Sequence, residues 1–147
     1  ENSTEIKLHL PALIPDDYLP DVQMRLVLYK RISNAKTTDA LRALQVEMID
    51  RFGLLPEPVK NLFRVTEIKM IAADLGISRI DLGPRGGKID FLQNTKVPAE
   101  RVIELVQKQS HSYKFASANR IAIVDTIEDR EKRFKLIENL LERFLAA

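Results

Sequence analysis

The 147-residue sequence contains no cysteine. Without cysteine the chain can form no disulfide bond, and it offers no thiolate as a nucleophile or metal ligand. This absence fits a reducing compartment, and we expect a cytoplasmic protein. The sequence also lacks an apolar run near the roughly 18 residues that would suggest a membrane span, and it has no signal-peptide pattern. We therefore predict no membrane partner.

The sequence also lacks a strong excess of charge of either sign. It has 23 Lys and Arg residues against 21 Asp and Glu residues, which gives a formal net charge of +2. A protein that works mainly by neutralising phosphates usually shows a larger and clustered positive excess. The balance argues against a dedicated nucleic-acid binder. Because the chain begins with Glu1 and not with methionine, we expect it to be a piece of a longer protein or a processed one.

The most informative stretch is the corner from Asp50 to Pro58, which has the features of a helix end followed by a helix start. Gly53 stands where a helix exit needs a left-handed residue, and glycine adopts that conformation without steric cost. Pro56 and Pro58 fit at the start of a helix, where a missing N–H group is no loss. The helix that follows, predicted to end at Leu75, is apolar on more than one side. We expect it to be the central helix.

Periodic apolar positions predict the other elements of the first half. Residues 6–10 alternate as a strand does, and acidic residues precede a first helix near residue 21. A second helix is predicted to run from a cap at Thr37 or Thr38 to Phe52. The expected buried positions are Val22, Leu26, Tyr29 and Ile32 in the first helix and Leu41, Leu44, Met48 and Phe52 in the second.

The second half of the sequence changes to strand patterns. Residues 77–82 and 88–92 alternate around a glycine-rich segment, which predicts a β-hairpin. A helix beginning at Pro98 precedes two more predicted strands, at 113–116 and 120–124. Asp125 or Thr126 is expected to cap a last helix. The expected buried positions are Val102, Ile103 and Val106 in the helix after Pro98, and Phe134, Ile137, Leu141, Phe144 and Leu145 in the last helix.

These elements predict an α+β fold in which a helical N-terminal half packs on a small antiparallel sheet with flanking helices. We expect one domain over residues 1–147 with one core, because the length suits a single domain. Residues 1–5 are expected to be a linker. No internal repeat or low-complexity tract divides the chain.

The sequence offers no recognisable catalytic set. Residues 83–89 superficially resemble a phosphate loop, but the spacing is wrong, no Ser or Thr follows Lys88, and the segment leads into a strand. His9 and His111 lie far apart and outside any metal-ligand pattern. Ser110 has no surrounding nucleophile-elbow pattern. We predict no catalytic, cofactor or metal site, and a stand-alone enzyme is a remote alternative.

Basic side chains occur at the predicted hairpin and on the last helix. The hairpin carries Arg79 as well as two residues nearer its tip, and the helix has a mixed-charge run over residues 129–135. A plain hairpin turn and a solvated helix face explain both segments most simply. The alternative is contact with the phosphates of a nucleic acid. The candidate residues for that contact are Arg85, Lys88, Arg130 and Arg133.

A cluster of charged residues lies near the end of the second predicted helix. Glu47, Asp50 and Arg51 occupy positions i, i+3 and i+4, so they lie near one another on the helix surface. Acids in the last turns oppose the helix dipole, and in the simplest interpretation Arg51 relieves this by pairing with Glu47. The alternative is an interface with a basic partner, to which Val46 and Leu54 would add apolar contact.

Three segments together give the chain a resemblance to a known family. They are residues 13–20 (LIPDDYLP), 25–32 (RLVLYKRI) and 50–56 (DRFGLLP). In this order and spacing they resemble the C-terminal domain of the bacterial transcription-repair coupling factors, in its enterobacterial type, and the resemblance covers nearly the whole chain. Most members have proline where Leu54 stands, which is a departure from the family pattern.

The resemblance implies a function that the residue patterns alone do not show. Family members are DNA translocases that remove stalled RNA polymerase at lesions, and ATP and Mg²⁺ act in their motor domains, outside a domain of this kind. The resemblance implies a non-catalytic domain that packs on the N-terminal module of the same chain, which is similar to the damage-recognition subunit of the excision nuclease.

That packing is implied to mask the surface that recruits the lesion-recognition ATPase subunit and to restrain the motor. Release would follow engagement of RNA polymerase and double-stranded DNA. From their position and chemistry, we assign the contact with the N-terminal module to Glu47, Asp50 and Arg51.

Overall fold

A computed structural model describes residues 3–146 of the chain. These residues divide into two compact units: Pro11–Met70 form a helical unit, and residues 3–10 together with 71–146 form a sheet unit. The predicted α+β class is confirmed. The prediction of a single domain over residues 1–147 stays a prediction.

The helical unit contains α1 (Val22–Ser33), α2 (Thr38–Phe52) and most of α3 (Glu57–Leu75). The Asp21 side chain caps α1 by accepting a hydrogen bond from the amide of Met24, and Thr37 caps α2 in the same way. Gly53 ends α2 with φ +100° and ψ −178°, so the predicted need for a glycine with positive φ is met, but in an extended conformation and not in the left-handed helical one. The first two helices therefore begin where short polar side chains can satisfy free amide groups.

The core of the helical unit confirms the predicted inner side of α2 and partly corrects that of α1. Val22 and Leu26 of α1 are exposed, whereas Leu28 and Ile32 are buried. Apolar residues occupy most of the circumference of α1, so periodicity alone did not select the buried side. The buried residues of this core are Ile14, Leu19, Leu28, Ile32, Leu41, Leu44, Met48, Leu55, Val59 and Phe63.

Hydrogen bonds join the three family-like segments to one another. The Tyr18 hydroxyl donates to the carbonyl of Gly53 at 2.9 Å, and the Tyr29 hydroxyl accepts from the amide of Ile14 at 2.7 Å. Arg25 donates to the carbonyl of Leu19 at 2.8 Å. These residues of the family-like segments therefore hold residues 13–20 against the helices and the corner that ends α2.

The sheet unit contains β1 (Glu5–Lys7), β2 (Ile77–Gly83), β3 (Gly86–Phe91), α4 (Ala99–Lys108), β4 (Tyr113–Ser117), β5 (Arg120–Ile123) and α5 (Arg130–Leu145). The strand order is β1-β2-β3-β5-β4. All neighbours pair antiparallel except β1 and β2, which are parallel, so the sheet is mixed. A parallel pair needs a long crossover connection, and the helices between β1 and β2 supply it.

One face of the sheet is apolar and buried. Alternate residues of β2, β3 and β5 point to this face, and the ring of Phe91 meets that of Phe144 from α5 edge-to-face at 5.9 Å. The opposite face carries charged residues at the intervening positions, as the period of two requires. The buried apolar residues on these three strands are Ile77, Ile80, Leu82, Ile89, Phe91, Ile121 and Ile123.

The first strand is shorter than predicted. It ends at Lys7 because His9 adopts a left-handed conformation, with φ +59°, which does not continue a strand. Of residues 1–5, which we expected to be a linker, the first two lie outside the described part of the chain. Thr4 is buried and its hydroxyl donates to the carbonyl of Ile77, and Glu5 begins β1.

The last two helices also differ from the prediction. In α4, Leu105 is buried, whereas Ile103 is exposed. The cap of α5 is Asp129, not Asp125 or Thr126, because the amide of Ile127 donates to the carbonyl of Pro84 and holds the preceding segment against the hairpin. Within α5, Leu145 is exposed, while Leu140 and Arg133 join the predicted residues inside.

Candidate interaction surface

Glu47 of α2 is the centre of an ion-pair network on the helical unit. Arg31 of α1 donates two hydrogen bonds to it, one to each carboxylate oxygen and both at 2.8 Å. Arg51 donates a third from one turn further along α2, at 3.0 Å. The predicted pairing of Glu47 with Arg51 is therefore present, but Arg31 makes the bidentate contact, which is the stronger kind.

Arg31 was not among the predicted site residues. It lies 16 positions before Glu47 in the sequence, on another helix, so local helical spacing does not indicate the contact. The only feature of the sequence that drew attention to Arg31 was its place in the last turn of α1, where a cation suits the helix dipole. The packing of α1 beside α2 brings the two side chains together.

The network keeps the Glu47 carboxylate ionised. Hydrogen bonds from Arg31, and then from Arg51, lower the pKa of Glu47 from its ordinary value to about 2. The same bond with Glu47 raises the pKa of Arg31. At neutral pH, one negative charge therefore lies between two positive charges, and the three groups together carry a charge of +1.

Asp50 has a different environment from Glu47. It is exposed, and within residues 3–146 no hydrogen bond or ion pair engages its carboxylate. Arg51, by contrast, is fixed from three sides, because its guanidinium also lies 4.8 Å from the ring centroid of Phe52 and 3.8 Å from the sulfur of Met24. The cluster thus combines an internally neutralised Glu47 with an unengaged Asp50.

Apolar side chains that the fold does not bury lie on α1, on α2 and in the corner that follows α2. Val46 is 58% exposed, and Leu54, just past the end of α2, is 85% exposed. On α1, Leu26 and Val27 are also exposed. An open groove of about 580 Å³ runs beside the network, with Val27, Arg31, Ala43 and Glu47 among its lining residues. Charged groups beside uncovered apolar surface are typical of a protein–protein contact.

The candidate nucleic-acid residues lie in the sheet unit, on three different segments. Arg85 is exposed in the turn between β2 and β3, Lys88 is half-buried on β3, and Arg130 is exposed at the start of α5. Arg133 is only 2% exposed, so its prediction as a nucleic-acid contact is wrong. Its guanidinium donates instead to backbone carbonyls, those of Leu8, His9, Ile127 and Glu128.

The two histidines lie apart. The His9 ring nitrogen Nε2 is 2.7 Å from a carboxylate oxygen of Asp81, and His111 is exposed in the turn before β4. Residues 3–146 contain no group of three or more metal-binding side chains. In the same part of the chain, no helix has the length and hydropathy needed to cross a membrane.

Comparison with known proteins gives consistent matches. The transcription-repair-coupling factor of Haemophilus influenzae is 40% identical over 99% of this chain, and that of Escherichia coli K12 is 37% identical over 94%. The chain spans only 13% and 12% of the length of these two relatives. The resemblance found in the three sequence segments is thereby confirmed.

A solved structure shares the fold. The crystal structure described as the C-terminal domain of transcription-repair coupling factor matches with a TM-score of 0.81, covering 98% of this chain and 92% of that one, at 20% identity. A family model described as the TRCF domain matches residues 8–102, which is more than half of the sequence. The chain therefore belongs to the TRCF domain family of the transcription-repair coupling factors.

Proposed function

We propose that this chain is a non-catalytic regulatory domain of a transcription-repair coupling factor. It packs on the N-terminal excision-repair-like module of the same polypeptide and masks the surface that recruits the lesion-recognition ATPase subunit. It restrains the motor until RNA polymerase and double-stranded DNA are engaged. The domain itself takes no cofactor, and ATP and Mg²⁺ act in the motor domains.

The observation that carries the proposal is the surface formed by Glu47, Arg31 and Arg51 with Asp50 and Leu54. The fold needs neither an unengaged carboxylate nor a leucine that is 85% exposed at this place. A fixed ion-pair network with uncovered apolar side chains beside it resembles one half of an interface. The network is held by short hydrogen bonds before any partner arrives, so little ordering is required on binding.

The geometry also defines what the partner surface must offer. Glu47 is already neutralised, so Asp50 is the carboxylate that would meet a basic group of the N-terminal module. Each guanidinium has five N–H donors, of which Arg31 uses two and Arg51 one on Glu47. The remaining donors suit carbonyl or carboxylate oxygens. The partner therefore presents groups of both signs, not a purely basic surface.

An interface of this composition suits a contact that has to open. Exposed ion pairs contribute modestly, up to about 1 kcal/mol each, and salt weakens them. They fix the register of two surfaces more than they raise affinity. Competition by RNA polymerase and DNA for the rest of the protein can then release the domain without breaking a large apolar interface.

The test is a charge reversal in the full-length protein. We expect Glu47→Lys with Asp50→Lys to raise the ATPase rate without DNA and to allow capture of the lesion-recognition ATPase subunit. The matched control is Asp74→Lys with Glu142→Lys, which changes net charge equally at two other exposed acids. If both double variants stay as restrained as the unmodified protein, the proposal is wrong.

A further inference from the structure

The outer face of the sheet, opposite its buried residues, carries charged side chains in two rows that cross the strands. The pairing register defines both rows. In sheet order, the first row is Glu5, Arg79, Asp90, Arg120 and Ser117. The second row lies two residues along from the first on β1, β2, β3 and β5. In the same sheet order it is Lys7, Asp81, Lys88, Ala122 and Lys114.

Every acid in these two rows is paired within the sheet unit. Arg120 makes two hydrogen bonds to Asp90, that from Nη2 at 2.9 Å. Arg79 lies 3.4 Å from carboxylate oxygens of both Glu5 and Asp81. Asp81 also accepts the 2.7 Å contact from His9. The acids therefore have partners that do not include the lysines.

The three lysines of the second row, which we call the lysine row, have no acidic partner among the described residues. Within residues 3–146, Lys7 and Lys88 have no hydrogen bond or ion pair, and Lys114 donates only to the carbonyl of Ser110, which is a neutral acceptor. Arg85, exposed in the turn that follows β2, adds a fourth cation near the same strands. The face thus has three to four unneutralised positive charges although the whole chain is nearly neutral.

The lysines are evenly placed across the sheet. Lys7 and Lys88 are separated by two strand spacings, as are Lys88 and Lys114, so each step is about 10 Å and the row is about 19 Å long. No position of the two rows is aromatic, and the His9 ring beside them is engaged by Asp81, so the rows form no stacking platform for unpaired bases. Evenly spaced cations without stacking groups suit the backbone of a double helix better than a single strand.

We propose that the outer face of the sheet binds the phosphate backbone of duplex DNA through Lys7, Lys88 and Lys114, with Arg85 at its margin. The contact reads no base sequence, because contacts between lysines and phosphates carry no information about the bases. It is a second function beside the proposed packing through α1 and α2, since it uses none of the residues of those helices.

The test measures binding of the 147-residue chain to a 20-base-pair duplex by fluorescence anisotropy across a salt series. We expect weak binding, with a dissociation constant of roughly 1–100 µM and a slope of log K against log salt of about −3. The variant Lys7→Gln, Lys88→Gln, Lys114→Gln is expected to bind at least tenfold more weakly, with its slope reduced by about 2.7.

The matched control is Lys36→Gln, Lys60→Gln, Lys69→Gln, which removes the same charge from exposed lysines elsewhere. We expect less than a twofold change for this control. A second variant, Arg85→Gln with Lys7→Gln and Lys114→Gln, leaves β3 intact and is expected to weaken binding to a similar degree. Absence of binding at 50 mM salt, equal weakening of variant and control, or tighter binding of a 20-nucleotide single strand would overturn the proposal.

Discussion

Single residues of similar sequence character have different roles in this chain. Glu47 and Asp50 are acids one turn apart, yet Glu47 receives three hydrogen bonds and Asp50 none from the described residues. Arg130 and Arg133 are three residues apart in a charged run. Arg130 is exposed, whereas Arg133 is buried and donates hydrogen bonds to four backbone carbonyls. Composition and spacing identified the cluster at residues 47–51, but only tertiary packing distinguishes these roles.

The ionisation of Glu47 predicts a pH dependence of stability. Its folded pKa of about 2 lies below its ordinary value of 4.5. The network therefore stabilises the fold fully above about pH 4.5 and is lost as the pH falls through about 2. We expect the difference in unfolding free energy between the unmodified chain and Glu47→Gln to shrink over this range, as measured by urea unfolding from pH 2 to 7.

A second variant tests the origin of that dependence. Replacing both Arg31 and Arg51 by methionine removes the hydrogen bonds that lower the pKa of Glu47. Adding Glu47→Gln to this background should then leave the pH profile unchanged. A difference between the unmodified chain and Glu47→Gln that stays constant from pH 7 to pH 2 would contradict the role of the network.

The secondary-structure elements were predicted well where local chemistry determines them. Some residue types strongly favour one local structure. Examples are the cap at Thr37, the helix end at Gly53 and the hairpin around residues 83–87. Prediction failed where distant contacts decide. The buried side of α1 depends on what packs against it, and the start of α5 depends on a hydrogen bond from Ile127 to the hairpin. The parallel pairing of β1 likewise has no local signal.

Replacement of glycine by alanine is expected to lower the unfolding free energy by different amounts at Gly53 and Gly87. Gly53 has φ +100° and ψ −178°, a region open almost only to glycine, but no atom lies within 4 Å of an added Cβ. A Cβ on Gly87 would lie 1.8 Å from the carbonyl oxygen of Asp81 on the paired strand.

We expect Gly53→Ala to lower the unfolding free energy by about 1–3 kcal/mol, through backbone strain alone. Gly87→Ala forces β2 and β3 apart and is expected to cost on the order of 4 kcal/mol or more. Urea unfolding of the two variants, with hydrogen exchange of β2 amides, measures both effects. Equal costs, or unchanged protection of β2 in Gly87→Ala, would contradict this assignment.

At the scale of the whole molecule, the proposed function separates residues that maintain the fold from residues that serve contact. Leu54 and Leu55 are neighbours, but Leu54 is 85% exposed and Leu55 only 8%. The family resemblance rests largely on residues of the first kind, such as Tyr18 and Gly53, which hold the corner together. The sequence could therefore indicate the family clearly while leaving Arg31, Lys7 and Lys114 unrecognised.

Alanine at these two leucines tests that separation. Leu54→Ala is expected to change the stability of the 147-residue chain by less than about 0.5 kcal/mol, yet to raise the DNA-independent ATPase rate of the full-length protein. Leu55→Ala is expected to cost about 2–5 kcal/mol of stability, because it leaves a cavity in the core of the helical unit. Full restraint in the Leu54→Ala protein would place Leu54 outside the interface.

The discontinuous make-up of the sheet unit has a consequence for biosynthesis. Residues 11–70 are contiguous, so their core can assemble while the ribosome is still adding later residues. Residues 3–10, in contrast, pair with residues that are synthesised much later. Their neighbouring strand, β2, begins at Ile77, and the carbonyls of Leu8 and His9 accept hydrogen bonds from the guanidinium of Arg133. Residues 3–10 are thus made before the helical unit but dock after it, and a nascent chain stalled before residue 133 carries a finished helical unit and an unfinished sheet unit.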